Sequence, residues 1–316
     1  MPTYDEVFAE IQSRREESSQ DYVLKKYLKK LHKYTGRPTV FYASAFSESE
    51  ISGRALQLGR QDVSCFMAAA AGADGRELDL ILHSPGGSVE AAEQIGTYLR
   101  RRFDDIRVIV PVCALSSATL LTCAADRILL AEYASLGPID PIVNWSYQGS
   151  YHSTSAQTLI NEHSIAQSNI NNKRNNPVLW IEKLKHFPPG LLATCRDQIQ
   201  LSRELAQSWL ERYMFRGEEQ ASEKAERISA WLVDSRRFIS SQRPLMHDQV
   251  AAEGMKVELL DADETLADNV MSVFLAASAK FRTSDCVKII ADRLGKGCTF
   301  SSRPAAGSDR DGRQEA

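Results

Sequence analysis

A chain of 316 residues, 43% hydrophobic and 25% charged, has the composition of a globular protein able to bury a sizeable core. Its formal net charge of −3 lacks the basic excess on which polyanion binding usually rests, so no nucleic-acid partner is expected. The apolar runs fall short of the roughly 20 residues a membrane-spanning helix needs. The charged start, MPTYDEVFAEIQSRREE, has no apolar signal core, and together these features predict a cytoplasmic protein, with peripheral membrane association left open.

Residues 4–34 read as one or two polar helices ending near Gly36-Arg37-Pro38. Within them Lys25, Lys26, Lys29, Lys30 and Lys33 fit a solvated face, with Tyr22, Val23, Tyr27, Leu28 and Leu31 on the other side. Residues 39–43 are β-branched and aromatic, which predicts a short strand. Residues 48–75, with Ile51, Leu56 and the apolar run 65–71, predict a packed helix. Residues 78–83 form a second strand, broken by Ser84-Pro85-Gly86-Gly87-Ser88. Val89, Ala92, Ile95, Leu99 and Phe103 then recur at helical spacing. Residues 106–112 are almost continuously apolar, as in a strand buried on both faces. A turn at Cys113-Ala114-Leu115 leads into a small-residue helix over 116–125, a strand over 127–131 and a loop over 137–141. This alternation predicts parallel strands with helical crossovers.

Beyond residue 155 the pattern is polar and Asn-rich to about 186, with helical stretches. Amphipathic helices are expected over 191–215, 218–234 and 265–281, a short strand over 255–260, and a disordered tail from 301. The organisation expected is a helical segment (1–36), an α/β core (37–150), a helix-rich region packing on it (151–300) and the tail (301–316). The six cysteines show no CxxC pair, so free thiols in a reducing compartment are expected. His152, His163 and His186 lack metal-ligand spacing, and neither a Walker A loop nor a dinucleotide fingerprint is present, so no metal and no cofactor are expected.

The chemistry-bearing pattern is a pair of strand–turn–helix junctions, with Ser116 following Gly87 by 29 residues. Carboxyl ends of neighbouring parallel strands share one edge of a sheet, where ligands bind. Paired glycines at one such end let backbone N–H groups approach a ligand closely. A serine at the next would project Oγ into the same cleft, and acyl transfer needs such a nucleophile beside pre-aimed donors. Ser116 equally fits a helix N-cap, and Gly86-Gly87 a simple turn.

The segments His83-Ser84-Pro85-Gly86-Gly87-Ser88, Pro111-Val112-Cys113-Ala114-Leu115-Ser116-Ser117-Ala118-Thr119 and Leu136-Gly137-Pro138-Ile139-Asp140-Pro141 resemble the ClpP/SppA superfamily, and more closely the serine dehydrogenase proteinase family. Looser likeness extends over residues 24–295. The resemblance implies a ClpP/crotonase-like parallel-sheet superhelix with flanking helices and a helical C-terminal region. It also implies an ATP-independent serine endopeptidase acting on peptides or proteins, and a homo-oligomer. Ser116 is then the nucleophile, and the Gly87 and Ser117 amides, after the turn at Gly86, form the oxyanion hole. Two departures stand out: Ser117-Ala118 replaces the family's Ala-Gly, and Ser241-Gln242-Arg243 replaces a His-Gly-Arg-like element. Ser117 is an alternative nucleophile.

A serine hydroxyl needs a base, and the residues leave it open among His247, Lys173, Lys183, Lys185 and His83, with Asp140 able to orient it. Two other readings remain: a non-catalytic relative that binds peptides or partner proteins, and a crotonase-type acyl-CoA enzyme.

Overall fold

A computed structural model describes residues 3–13, 19–48, 53–172, 176–238, 240 and 243–302. Lys173, Ser241 and Gln242, and the tail beyond Ser302, lie outside the described residues. Helices α1 (Tyr4–Ser13) and α2 (Ser19–Thr35) precede strand β1 (Thr39–Ser44), and α3 (Arg60–Ala70) leads to β2 (Glu77–His83). Helix α4 (Val89–Arg102) then connects to β3 (Asp105–Val110), the two-residue β4 (Cys113–Ala114), α5 (Ser117–Thr122), β5 (Arg127–Leu130) and β6 (Ser135–Leu136). A hairpin of β7 (Ile142–Tyr147) and β8 (Ser150–Ser155) is followed by α6 (Ala156–Asn171), α7 (Val178–Leu184) and α8 (Leu191–Trp209). The rest comprises α9 (Ala221–Val233), α10 (Ser235–Phe238), β9 (Leu245–Met246), α11 (His247–Ala252), β10 (Val257–Leu259), α12 (Glu264–Thr283), β11 (Cys286–Asp292) and β12 (Gly297–Ser301).

The main sheet runs β10-β5-β3-β2-β1-β11-β12. Five strands, β10 to β1, are parallel, as the strand–helix alternation predicts. Because β1, β2, β3 and β5 lie side by side in chain order, right-handed crossovers put their helices on one face. Helix α4 accordingly packs between α3 and α5. Helices α2 and α12 pack together, α2 burying Val23, Leu24, Leu28 and Leu31, as its expected apolar side does. Tyr22 departs from that side and is exposed.

Two features correct the sequence-based picture. Strands β11 and β12 run antiparallel, β11 against β1, so the sheet is mixed rather than wholly parallel. Cys65 of α3 and Cys298 of β12 form a disulfide, 233 residues apart, while Cys113, Cys123, Cys195 and Cys286 are free. Spacing carries no trace of such a pair, because only the return of the chain to the β1 edge brings the two together. Cross-linking so long a loop is worth about 2–4 kcal/mol. Cys298→Ser is therefore expected to lose that stability against the oxidised wild type; equal urea midpoints with and without reductant would contradict it.

An ion cluster closes the amino ends of the central strands. Buried Asp79 on β2 receives Arg37 Nε at 2.8 Å and Arg107 Nη2 at 2.7 Å, and Arg37 also reaches Asp105 at 2.5 Å. The carboxyl ends, where β2 and β3 release the chain into glycine and serine turns, stay open to a cleft.

Candidate active site

Ser116 has φ 52° and ψ −121°, the values of the first central residue of a type II′ turn, a place ordinarily taken by Gly. The turn closes through a bond from the Ala118 N–H to the Leu115 carbonyl at 3.0 Å. A non-glycine residue held there stores about 1–3 kcal/mol of strain. Its side chain makes no capping bond, so it is not there to cap α5. Helix α5 is also shorter than expected, Ser117–Thr122 rather than 116–125.

Gly86 and Gly87 face this turn with φ 88° and 155°. A Cβ on Gly86 would lie 2.5 Å from the Leu115 carbonyl oxygen, 2.8 Å from Ser116 Cβ and 3.0 Å from the Ser117 nitrogen. The two junctions that the sequence separates therefore touch, and only glycine permits the contact. A Cβ on Gly87 would lie 2.2 Å from the Leu58 carbonyl oxygen. Residue 58 runs beside the glycine turn: its N–H donates to the Gly86 carbonyl at 2.8 Å and its carbonyl accepts from the Ser88 N–H at 2.9 Å. Among the described residues, the N–H groups of Gly87 and Ser117 have no acceptor.

Both Ser116 and Gly87 line a cleft of about 490 Å³. Residues 57–59 form one wall, the start of β7 (Ile142, Val143, Asn144) another, and Thr194 and Gln198 of α8 a third. Helix α8 is seated by Trp209, whose ring packs so closely on Gly96 of α4 that a Cβ there would lie 2.7 Å from Cη2. The hairpin wall was not anticipated. Its turn uses Gln148 and Gly149, both at positive φ as a two-residue primed turn requires. The Gln-Gly pair, flanked by alternating side chains, was the signal available.

Lys173 lies outside the described residues, and the other residues weighed as bases fall away from the cleft lining. His83 is fully buried in β2, stacked on Phe46, with Ser47 Oγ 3.1 Å from Nε2 and Cys113 Sγ 3.8 Å from Nδ1. Burial pushes its pKa down to about 4, against an ordinary 6.5. Between those values the unfolded chain binds a proton that the native state refuses, so stability is lost as pH falls from 6.5 to 4, by about 3 kcal/mol in all. His83→Gln is expected to flatten the acid limb of the stability–pH curve by that amount; identical curves would contradict it. His247 opens α11, its Nδ1 3.1 Å from Asp248, and does not line the cleft. Lys183 pairs with Glu162 and Lys185 with Glu182, both outside the cleft. Buried Asp140 accepts from the Gln157 N–H at 3.3 Å. Ser117, the alternative nucleophile, is 1% exposed, and its Oγ is buried without a hydrogen-bond partner among the described residues.

A buried ion pair backs the 57–59 wall. Lys288 Nζ of β11 lies 2.7 and 2.9 Å from the two oxygens of Asp62 on α3, and donates to the Gln57 carbonyl at 2.9 Å. Asp62 Oδ2 accepts from the Gly59 N–H at 2.9 Å. Burial pushes Asp62 up and Lys288 down, with each partner's charge opposing the shift. The pair thus grips both ends of the segment that hydrogen-bonds the glycine turn. Lys288 falls within the stretch of looser family likeness, and nothing local in the sequence singles out Asp62.

In the uncharacterized protein MJ0137 of Methanocaldococcus jannaschii, 66 residues are 50% identical to this chain, covering 21% of it and 23% of that protein. The uncharacterized protein MJ1495 of the same organism is 42% identical over 64 residues, covering 20% and 22%. The match thus spans less than a quarter of either curated relative. A solved variant of the 1510-N membrane-bound stomatin-specific protease is 18% identical, covers 39% of this chain and 63% of that one, and superposes with a TM-score of 0.28. Residues 62–173, which contain both the Gly86-Gly87 turn and Ser116, match the model of the family described as ClpP-like SDH-type serine proteinase.

Proposed function

We propose that the chain is an ATP-independent serine endopeptidase whose α/β core takes the ClpP/crotonase superhelical form. The carrying observation is the strained Ser116 turn in contact with Gly86-Gly87 at a cleft. Ser116 Oγ attacks a peptide carbonyl as its proton passes to a base. The oxygen that gains charge is received by the Gly87 and Ser117 N–H groups, neither of which has another acceptor among the described residues. Collapse breaks the C–N bond, the amine leaves with the proton, and water then hydrolyses the acyl-enzyme. The substrate is a peptide or protein, and a cytoplasmic homo-oligomer is the setting we carry forward.

Lys173 and His247 remain the two bases proposed. A second reading, a non-catalytic peptide binder, is favoured by one observation: no His or Lys lines the cleft among the described residues. Intact-mass analysis after fluorophosphonate treatment tests both. One adduct, kept in Ser117→Ala and lost in Ser116→Ala, supports the peptidase. Its loss in Lys173→Met or in His247→Gln assigns the base. No adduct on wild type, under conditions that label a control hydrolase, supports the binder instead.

A further inference from the structure

Among the described residues that line the cleft, the side chains are amides, hydroxyls and apolar groups, with a single exception. Glu90 sits in the first turn of α4, three residues beyond Gly87, and presents a half-buried carboxylate to the same cleft as Ser116. Its two oxygens are oriented by neutral donors. The Ser88 hydroxyl donates to Oε2 at 2.7 Å, and the Gln198 side-chain amide of α8 donates to Oε1 at 3.1 Å. None of the ion pairs among the described residues includes Glu90. A carboxylate fixed by neutral donors keeps its full charge and its remaining lone pairs for a ligand.

We propose that Glu90 selects peptides with a cationic side chain, Lys or Arg, at or next to the bond presented to Ser116. This rests on the peptidase reading and names its substrate class. The Ser88 hydroxyl is the chief cause that holds the Glu90 carboxyl below its ordinary value, with Gln198 and the charge of Arg60 adding to it. A carboxylate so stabilised is a poor acceptor for the serine proton, which separates Glu90 from the role of base. It is ionised throughout the neutral range and therefore attracts an ammonium or guanidinium. An acidic side chain in the same place would meet like charge in a partly dewatered cleft, which disfavours it. The start of α4 thus does two jobs a few residues apart: Gly87 offers a donor to the reacting oxygen, and Glu90 reads the side chain beside it.

The test measures binding, so that it does not depend on turnover. Fluorescent hexapeptides carrying Lys, Gln or Glu at each position in turn are titrated against Ser116→Ala and Ser116→Ala/Glu90→Gln proteins by anisotropy. At one position the Lys peptide is expected to bind Ser116→Ala about tenfold more tightly than the Gln peptide, and the Glu peptide more weakly still. In the Glu90→Gln background, which keeps the shape of the side chain, the three affinities are expected to converge. In Ser116→Ala/Glu90→Lys the order is expected to invert. Equal affinities for the three peptides, a preference that survives Glu90→Gln, or binding of none of them overturns the proposal. The fluorophosphonate result separates the two readings: an adduct without charge preference sinks only the specificity, and charge preference without an adduct sinks only the peptidase.

Discussion

Replacing Ser116 by alanine is expected to lower kcat on a cleaved peptide by about 10⁴–10⁶-fold while peptide binding stays within a few-fold of wild type, as in serine hydrolases stripped of their nucleophile. The turn makes a second readout available that needs no substrate. Ser116 occupies φ 52°, where a Cβ is unfavourable. Ser116→Gly is expected to raise stability by about 1 kcal/mol, the relieved strain less the entropy glycine loses on folding. Stability gained as activity is lost is the pattern of strain held at a working site. Urea unfolding checks it: a Ser116→Gly protein less stable than wild type would show that the turn stores no strain.

Lys288→Met is expected to cost about 3–5 kcal/mol, because it leaves the Asp62 carboxylate buried without its cation. In a chain of this size that corresponds to a fall in Tm of about 5–8 °C. The double variant Lys288→Met/Asp62→Leu is expected to recover part of the loss, since two apolar groups avoid the stranded charge. The Gly59 N–H and the Gln57 carbonyl would still lack their partners, so recovery should be incomplete. Because residues 57–59 hydrogen-bond the Gly86–Ser88 turn, the variant should also react more slowly with a fluorophosphonate at temperatures where it remains folded. A Lys288→Met protein within about 1 kcal/mol of wild type would show that the pair contributes little net stability.

Local pattern was a sound guide where each element carried its own signal. The run over 106–112 is apolar but for Arg107, and its first five residues lie in β3, where Ile106, Val108, Ile109 and Val110 are buried. The spacing of Val89, Ala92, Ile95 and Leu99 sets the buried face of α4. The glycine pair and Ser116 were legible because each ends a strand, and parallel strands place such ends at one edge. The conformation of Ser116 was not legible, since serine is not a residue from which positive φ is ordinarily inferred.

Other parts depended on contacts between distant segments. Cys65 meets Cys298, Asp62 meets Lys288, and Glu90 meets Gln198 only after the sheet and helices have assembled. The antiparallel return of β11 beside β1 shows the same thing: nothing local in residues 286–292 says which edge they join or in which direction. Hydrophobic periodicity reports what a segment buries, whereas pairing between segments far apart in sequence is chosen by the energy of the whole packed arrangement. For this protein the sequence by itself determined the central parallel strands, the two turns and the nucleophile proposed. Only the tertiary structure decided what walls the cleft, which charge faces it and what holds the Gly86-Gly87 turn in place.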